Sequence, residues 1–375
     1  MERRTPRLEL VPYAPELDEA IVEFNRRLYA GRAEGGFRLT TGPGPPPIAS
    51  GAAGVSQEHY VALEGEVVRG GVSLQVQPFR VDGETQTVAN LQLPLSEGIV
   101  DRRYAFVGGW LIKHVLHRYP RCFALGMGGE DRQLPQLLRA MGFAIWTVPF
   151  FFVVANVSRA ARELPAIGPG WARRAGSALL RFSGAGTLAS KAWLARAAWA
   201  SRDAREIGTD PVREWEAWAD EIWAEARPAF RVAAVRDSRT LPALFPVTDR
   251  KFPALRLHRD GETLGWAVVA VSRMVDNPHF GNLNVGTIVD ALTVPGHERA
   301  ALRAATRLLV DRGADIVVTN QSHPAWREAC RSGGFLRGPS NYVLATSPRF
   351  LGRDAQLESR GVHFTRGDGD GRVHL

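Results

Sequence analysis

A chain of 375 residues, 45% hydrophobic and 23% charged, with a net charge of +8, is too long for one ordinary core. The composition excludes a fibrous or wholly disordered protein and fits two globular domains of roughly 150 to 170 residues. The positive charge is local: residues 171–205 hold seven Arg and Lys against the single acid Asp203, so the high pI does not point to nucleic acid.

Residues 17–30 place Leu17, Ile21, Phe24 and Leu28 at helical spacing. The stretch 42–54, rich in Gly and Pro, reads as a loop. Two strands around a tight turn at Glu64-Gly65 follow, over 59–63 and 67–76, and then a strand over 88–95. Residues 103–118 read as a helix turning Val107, Trp110, Leu111, Val115 and Leu116 to a core. The apolar run 143–157 is too short to cross a bilayer and contains Pro149, so it reads as a strand pair or one bent strand. In the second half, Asp210-Pro211 reads as an N-cap with proline at the first helical position, opening a helix with Trp215, Trp218, Ile222 and Trp223. Strand, Asp260-Gly261 turn and strand then recur over 254–258 and 263–271, before a strand over 285–294 and a helix over 298–312.

One pattern occurs twice. Phe123-Ala-Leu-Gly-Met-Gly-Gly-Glu-Asp leads through a short amphipathic helix to Gly142-Phe143, and Asp315-Ile-Val-Val-Thr-Asn-Gln-Ser-His-Pro leads likewise to Gly334-Phe335. Each copy reads as strand, loop, helix, Gly-Phe and closing strand, with the glycine as a left-handed C-cap. Two copies half a chain apart indicate an internal duplication. Cys122 and Cys330 form no CxxC pair, which points to reduced thiols. No long apolar stretch follows the N-terminus, which suggests no signal peptide and a cytoplasmic location. The nine histidines show no ligand spacing, so no metal is expected.

The order of these elements, and above all strand, helix, Gly-Phe, strand, resembles the GNAT superfamily of acyltransferases in tandem. The implied fold class is α/β (mixed α+β), with two tandem GNAT-like domains, each a mostly antiparallel mixed sheet with helices on both faces. The boundaries are 1–165 and 210–375, with 166–209 as a basic, Trp-rich helical connector. Phrases such as Leu95-Ser-Glu-Gly-Ile and Thr365-Arg-Gly-Asp-Gly-Asp-Gly also resemble tandem GNAT-like proteins found near bacterial exopolysaccharide genes.

The family binds acyl-CoA pyrophosphate at an Arg/Gln-x-x-Gly-x-Gly/Ala helix start, where amides and the helix dipole meet the anion. The registers here are Arg103 to Gly108, followed by Gly109, and Arg299 to Ala304, with Phe106 and Leu302 where the first glycine belongs. The resemblance therefore names Arg103, Gly108, Gly109 and Arg299 as cofactor contacts, the first half binding acyl-CoA weakly and the second not at all. The family's tyrosine acid is replaced by Leu138 and by Cys330, the latter either a proton donor or a small packed core residue. Glu97, after the strand lining the acyl site, is a candidate base or a helix-cap acid. Asp290, inside an apolar strand, is a catalytic or substrate-orienting acid. Ser96, Glu130 and Asn320 are candidate substrate contacts, while Ser322 before Pro324 suffices as an N-cap. Thr365 to Gly371 reads as a polar turn in a tail or a substrate-edge loop.

The resemblance implies an acyl-CoA-dependent N-acyltransferase acting on an amine of a sugar or cell-envelope precursor. The alternatives are a non-catalytic GNAT-like binding or assembly protein and a Fem-type aminoacyl-tRNA-dependent transferase. The tryptophans among the basic residues of 171–205 fit peripheral contact with an anionic membrane or packing as an inter-domain connector.

Overall fold

A computed structural model of the chain describes residues 7–33, 36–41, 53–163, 207–351 and 361–369. The basic segment 171–205, like most of the 42–54 loop, lies outside the described residues. In chain order the elements begin with β1 (Glu9–Pro12), α1 (Asp18–Ala30), β2 (Ser56–Glu64), β3 (Val67–Val81) and β4 (Glu84–Ser96). Next come α2 (Val107–Arg118), β5 (Cys122–Gly126), α3 (Gln133–Ala140), β6 (Ala144–Thr147), β7 (Phe150–Val154) and α4 (Val157–Glu163). The second half gives β8 (Gly208–Pro211), α5 (Ala217–Ala226), β9 (Val232–Ala234), α6 (Leu241–Leu244), β10 (Ala254–Arg259), β11 (Glu262–Arg273) and β12 (Asn284–Thr293). It ends with α7 (Glu298–Asp311), β13 (Ile316–Asn320), α8 (Pro324–Ser332), β14 (Leu336–Gly338), β15 (Val343–Thr346) and β16 (Val362–His363).

The described residues gather into two compact units. The first draws on the described residues up to 79, on 84–147 and on 343–351, and the second on 80–83, 148–163, 207–342 and 361–369. The first unit is built on a sheet path β1-β2-β3-β4-β5-β15-β6, antiparallel at β1–β2, β2–β3, β5–β15 and β15–β6 and parallel at β4–β5. The 3.6-residue spacing of Ile21, Phe24 and Leu28 gives α1 one apolar face, buried with Val61, Val68 and Leu95. Each of those three side chains contributes about 2 kcal/mol by leaving water, so Phe24→Ala alone would undo much of the contact. The other face of the sheet carries Val72, Leu74, Val76 and Leu91 under Val107, Leu111 and Val115 of α2.

The second unit repeats the path as β8-β10-β11-β12-β13-β7-β14. The two orders are equivalent strand for strand, and β4–β5 and β12–β13 are the parallel pairs. The repeated corners also match. Gly142 and Gly334 have φ of 87° and 86°, and the following amides bond back at 3.0 Å (Phe143 to Leu138 O) and 2.9 Å (Phe335 to Cys330 O). Both phenylalanines are buried in the cluster around their own helix. Gly65 and Gly261 both hold positive φ at the hairpin turns.

The structure corrects three local expectations. The apolar run 143–157 is neither a strand pair nor one bent strand: β6 joins the first sheet, whereas β7 pairs with β13 in the second. Likewise β14 stays in the second sheet and β15 joins the first. Asp210 and Pro211 do not open a helix. They lie in β8, paired with Arg256 and Leu255, at a sheet edge where the missing proline N–H costs no ladder bond. Ser322 caps nothing; His323 precedes α8, and the serine hydroxyl is engaged elsewhere, as described below.

Candidate functional site

Each parallel pair begins in register and then parts. β4 and β5 pair at Ala89–Cys122 and Asn90–Phe123, and β12 and β13 from Val285–Ile316 to Thr287–Val318. A bulge follows in both. Leu93 takes φ 44°, and the β11–β12 register shifts between Val268 and Val269, which face Asp290 and Ile288 and leave Val289 as the extra residue. In the first unit the bulge reverses the facing of β4: Leu91 packs in the α2 cluster and Leu95 in the α1 cluster. Two parallel strands that separate leave ladder groups needing another partner.

The units meet that need differently. In the first, Gln92, Leu93 and Pro94 are half-buried in the middle of an interior strand. In the second, the corresponding Ile288, Val289 and Asp290 are fully buried, because the chain's own segment 362–368 lies between the parted strands. Thr365 bridges Gln321 beyond β13, and its hydroxyl donates to Asp290 Oδ1 at 3.0 Å on β12. Phe364 N–H donates to Ser322 Oγ at 2.7 Å, and Ser322 Oγ donates to Val362 O at 2.7 Å. Arg366 Nη1 donates to Asn320 Oδ1 at 3.0 Å. A Cβ on Gly367 would stand 3.0 Å from both Asp290 Cβ and Phe245 Cζ, so the close fit needs a glycine. The expected polar turn is therefore neither a tail nor a substrate-edge loop: Thr365, Gly367 and Asp368 are buried.

A buried ion triad anchors this segment. Arg236 donates from Nε to Asp290 Oδ2 at 2.7 Å and from Nη2 to Asp368 Oδ1 at 2.6 Å. All three side chains are nearly inaccessible. Burial pushes the Asp290 carboxyl up against the opposing pull of Arg236. Burial alone would lower the Arg236 guanidinium, but Asp290 and Asp368 together raise it. Beside the triad, His363 stacks on Phe230 at 4.6 Å, with His323 edge-on at 5.0 Å. Burial drives both imidazoles below the usual histidine range, His363 the further because His323 and Arg236 face it.

The sequence-selected residues are distributed over both units. In the first, Ser96 accepts from Gly98 N–H at 3.0 Å. Glu97 is buried with both oxygens engaged, Oε1 by Arg27 Nε at 2.9 Å and Oε2 by Arg69 Nη1 at 2.9 Å. Gly108 adjoins them: a Cβ there would lie 3.8 Å from Ser96 Cβ and 3.4 Å from Leu137 Cδ2. At Gly108 and Gly109 a Cβ would meet only ordinary contacts with Leu137 and Ser96. Arg103 is exposed and bidentate to Asp101 one turn before α2, and Phe106 occupies the N-cap. Glu130, past a loop of four positive φ angles from Gly126 to Gly129, accepts from Arg139 Nη2 at 2.8 Å and Thr147 Oγ1 at 2.7 Å. In the second unit Asp290 and Asn320 meet through segment 362–368, with no open face between them. Arg299 lies in the first turn of α7, where the Gly296 amide is already taken by Glu298 Oε2 at 3.0 Å. Cys330 is in the core cluster of α7 and α8, its thiol pushed up by burial. Among the described residues no group of three His, Cys, Asp or Glu is placed to hold a metal.

The sequence reading passed over Arg236, Arg27 and Arg69. Arg236 carried a signal, a lone arginine closing the apolar run Val232-Ala-Ala-Val235. Arg27 and Arg69 gave none, because their partner Glu97 lies 70 and 28 residues away.

No protein-family model and no curated protein matches the chain. Solved structures do. A GCN5-related N-acetyltransferase from Anabaena variabilis ATCC 29413 is similar at TM-score 0.52 and 11% identity, over 90% of this chain and 72% of that one. Saccharomyces cerevisiae N-myristoyltransferase with bound myristoyl-CoA is similar at TM-score 0.52 and 11% identity, over 95% and 85%. The fold is a tandem GNAT-like one. A tandem GNAT protein from the clavulanic acid biosynthesis pathway is similar at 0.48 and 14%, over 91% and 98%. At these identities the likeness is one of fold, and the chemistry has to be argued from the site.

Proposed function

We propose that the chain is an acyl-CoA-dependent N-acyltransferase working through its first unit, with an amine of a sugar or cell-envelope precursor as acceptor. The observation that supports this is the half-buried Gln92–Leu93–Pro94 stretch, an interior strand segment left partly open where β4 and β5 part. When bound there, acyl-CoA supplies an activated thioester carbonyl. In this reading backbone groups of β4 beyond Asn90 hold an extended chain and polarise the carbonyl. The amine forms the C–N bond, the C–S bond breaks, and the proton released by the amine balances the departing thiolate. The start of α2, with Arg103, Gly108 and Gly109, offers a helix N-terminus to the phosphates, although Phe106 crowds it. Glu130, whose carboxylate accepts from Arg139 and Thr147, is the candidate contact for the incoming amine. Glu97 serves instead to hold Arg27 and Arg69. Arg299, Asn320, Cys330 and Asp290 belong to the unit whose gap the chain itself fills, and there they are structural. The chain acts in the cytoplasm in this reading, and among the described residues no helix is long and apolar enough to cross a membrane.

The test is calorimetry with acetyl-CoA and longer acyl-CoAs, paired with an assay for thiol release on adding an amine. Binding to the intact chain that is lost on Gly108→Trp and kept in Arg299→Glu is expected. The opposite result would move the site to the second unit. No binding at millimolar concentration would favour a non-catalytic binding protein, a reading to which Phe106 and Leu138 lend support. Copurified RNA would favour a Fem-type transferase.

A further inference from the structure

Between α1 and the first sheet lies a cavity of about 30 Å³, with room for about two or three non-hydrogen atoms. Ile21, Leu39 and Val61 give it an apolar wall, and His59, Ser73 and Thr40 bring polar groups to it. On β3, Val72 and Leu74 pack under α2, so the alternating Ser73 faces α1. His59 stands opposite Ser73 on β2, and its Nδ1 lies 2.7 Å from Ser73 Oγ. Both side chains are half-buried and line the cavity.

The partners of these groups leave the pair poised for chemistry. Among the described residues the Ser73 hydroxyl bonds to His59 alone, so its proton is directed at Nδ1. Burial holds the imidazole below its usual range, which keeps it in the neutral, base form at neutral pH. The Tyr13 ring meets the imidazole edge-on at 6.4 Å, and the Tyr13 hydroxyl donates to Asp18 Oδ1 at 2.8 Å, so the packing ring is itself anchored. Thr40 makes no hydrogen bond among the described residues, which leaves its hydroxyl free to donate. Leu39 beside it is clamped to Asn25 of α1, its N–H donating to Oδ1 at 2.9 Å and its carbonyl accepting from Nδ2 at 2.8 Å. No other serine or threonine among the described residues bonds to a histidine. Cys122 and Cys330 offer no rival nucleophile, because burial pushes both thiols up.

We propose that Ser73 is a nucleophile with His59 as its general base, and that the cavity takes a small acyl group from an activated ester or thioester. The proposal does not rest on the acyltransferase reading, in which the acyl group passes directly to an amine. His59 Nδ1 takes the Ser73 proton as Oγ bonds to the carbonyl carbon, and the carbonyl oxygen takes up the negative charge. Thr40 supplies the hydrogen-bond donor for that oxygen. The C–O or C–S bond to the leaving group then breaks, and His59 passes the proton to the departing oxygen or sulfur. Water repeats the sequence on the acyl-serine, releasing the carboxylic acid and restoring the Ser73 hydroxyl. No carboxylate holds His59 Nε2 among the described residues, so this second step is slow and the acyl-serine accumulates.

The experiment treats the full-length chain with p-nitrophenyl acetate, follows nitrophenolate release and locates the acetyl group by peptide mass spectrometry. A burst of one equivalent is expected, with the acetyl group on Ser73. p-Nitrophenyl octanoate should react about tenfold slower or more, because its chain overfills the cavity. Ser73→Ala should abolish the burst. His59→Gln keeps a hydrogen-bonding side chain on β2 and should slow the burst about 100-fold, with the label still on Ser73. A burst that survives Ser73→Ala overturns the proposal, and equal rates for the two esters overturn the cavity as the acyl site. The map on the unaltered chain decides even where a variant does not fold: acetyl groups on lysines or the N-terminus, with none on Ser73, refute the nucleophile.

Discussion

The two units share one strand order, one parallel pair that parts, one bulge and one Gly-Phe corner, and they differ in what stands between the parted strands. In the second unit Asp290, Thr365 and Asp368 close on Arg236, and β12 is buried from Val285 to Thr293. In the first unit Pro94 stands where Asp290 does, counting from the first strand pair of each, and it offers no charge on which such a segment could anchor. The filled gap thus carries an anchoring carboxylate where the other carries a proline. A duplicated fold can keep one copy as scaffold while the other stays available to a ligand.

The comparison is broken most forcefully at Arg236. Arg236→Met leaves two buried carboxylates facing each other, and a loss of about 3 to 5 kcal/mol is expected in chemical denaturation. The triple variant Arg236→Met, Asp290→Leu, Asp368→Leu removes all the buried charge and should recover most of that loss. A single variant as stable as the parent would mean that the triad does not hold segment 362–368.

Acid sharpens the same contrast. His363 and His323 are held below 6.5 in the folded chain but titrate near 6.5 when unfolded. The unfolded state therefore binds more protons below that pH, and stability falls as pH drops from about 6.5 toward the folded values. Each histidine contributes a slope of up to about 1.4 kcal/mol per pH unit. His363→Phe preserves the stack on Phe230 and should remove about half of the slope, as read from melting temperature against pH. An unchanged slope would place the acid sensitivity elsewhere.

The smallest expected effect tests the symmetry. Gly142→Ala and Gly334→Ala each force a Cβ into a left-handed corner and should cost about 1 kcal/mol, by equal amounts. Clearly unequal losses would mean that the two corners are not equivalent.

What the sequence carried and what it withheld follow from the range of the forces involved. Helix α1, the glycine turns and the Gly-Phe corners depend on neighbours within a few residues, and periodicity and turn chemistry reveal them. The placing of β7 and β15 depends on which sheet offers an unpaired edge, and nothing local to 143–157 encodes that. The candidate site was legible in part. Asp290 stood out as a carboxylate in an apolar strand, but its partners Arg236 and Asp368 lie 54 residues before it and 78 after it in the chain. Thr365 to Asp368 looked like a solvated turn by composition, and only the gap it enters makes those polar groups buried and paired.

The most direct test of the central claim is deuterium exchange on the intact chain with and without saturating acetyl-CoA. Protection is predicted in the peptides that carry Gln92–Ser96 and Gly126–Gly129, with exchange at Ile288–Thr293 unchanged. Protection at Ile288–Thr293 with none at Gln92–Ser96 would contradict the account, because the ligand would then have entered the gap that segment 362–368 fills.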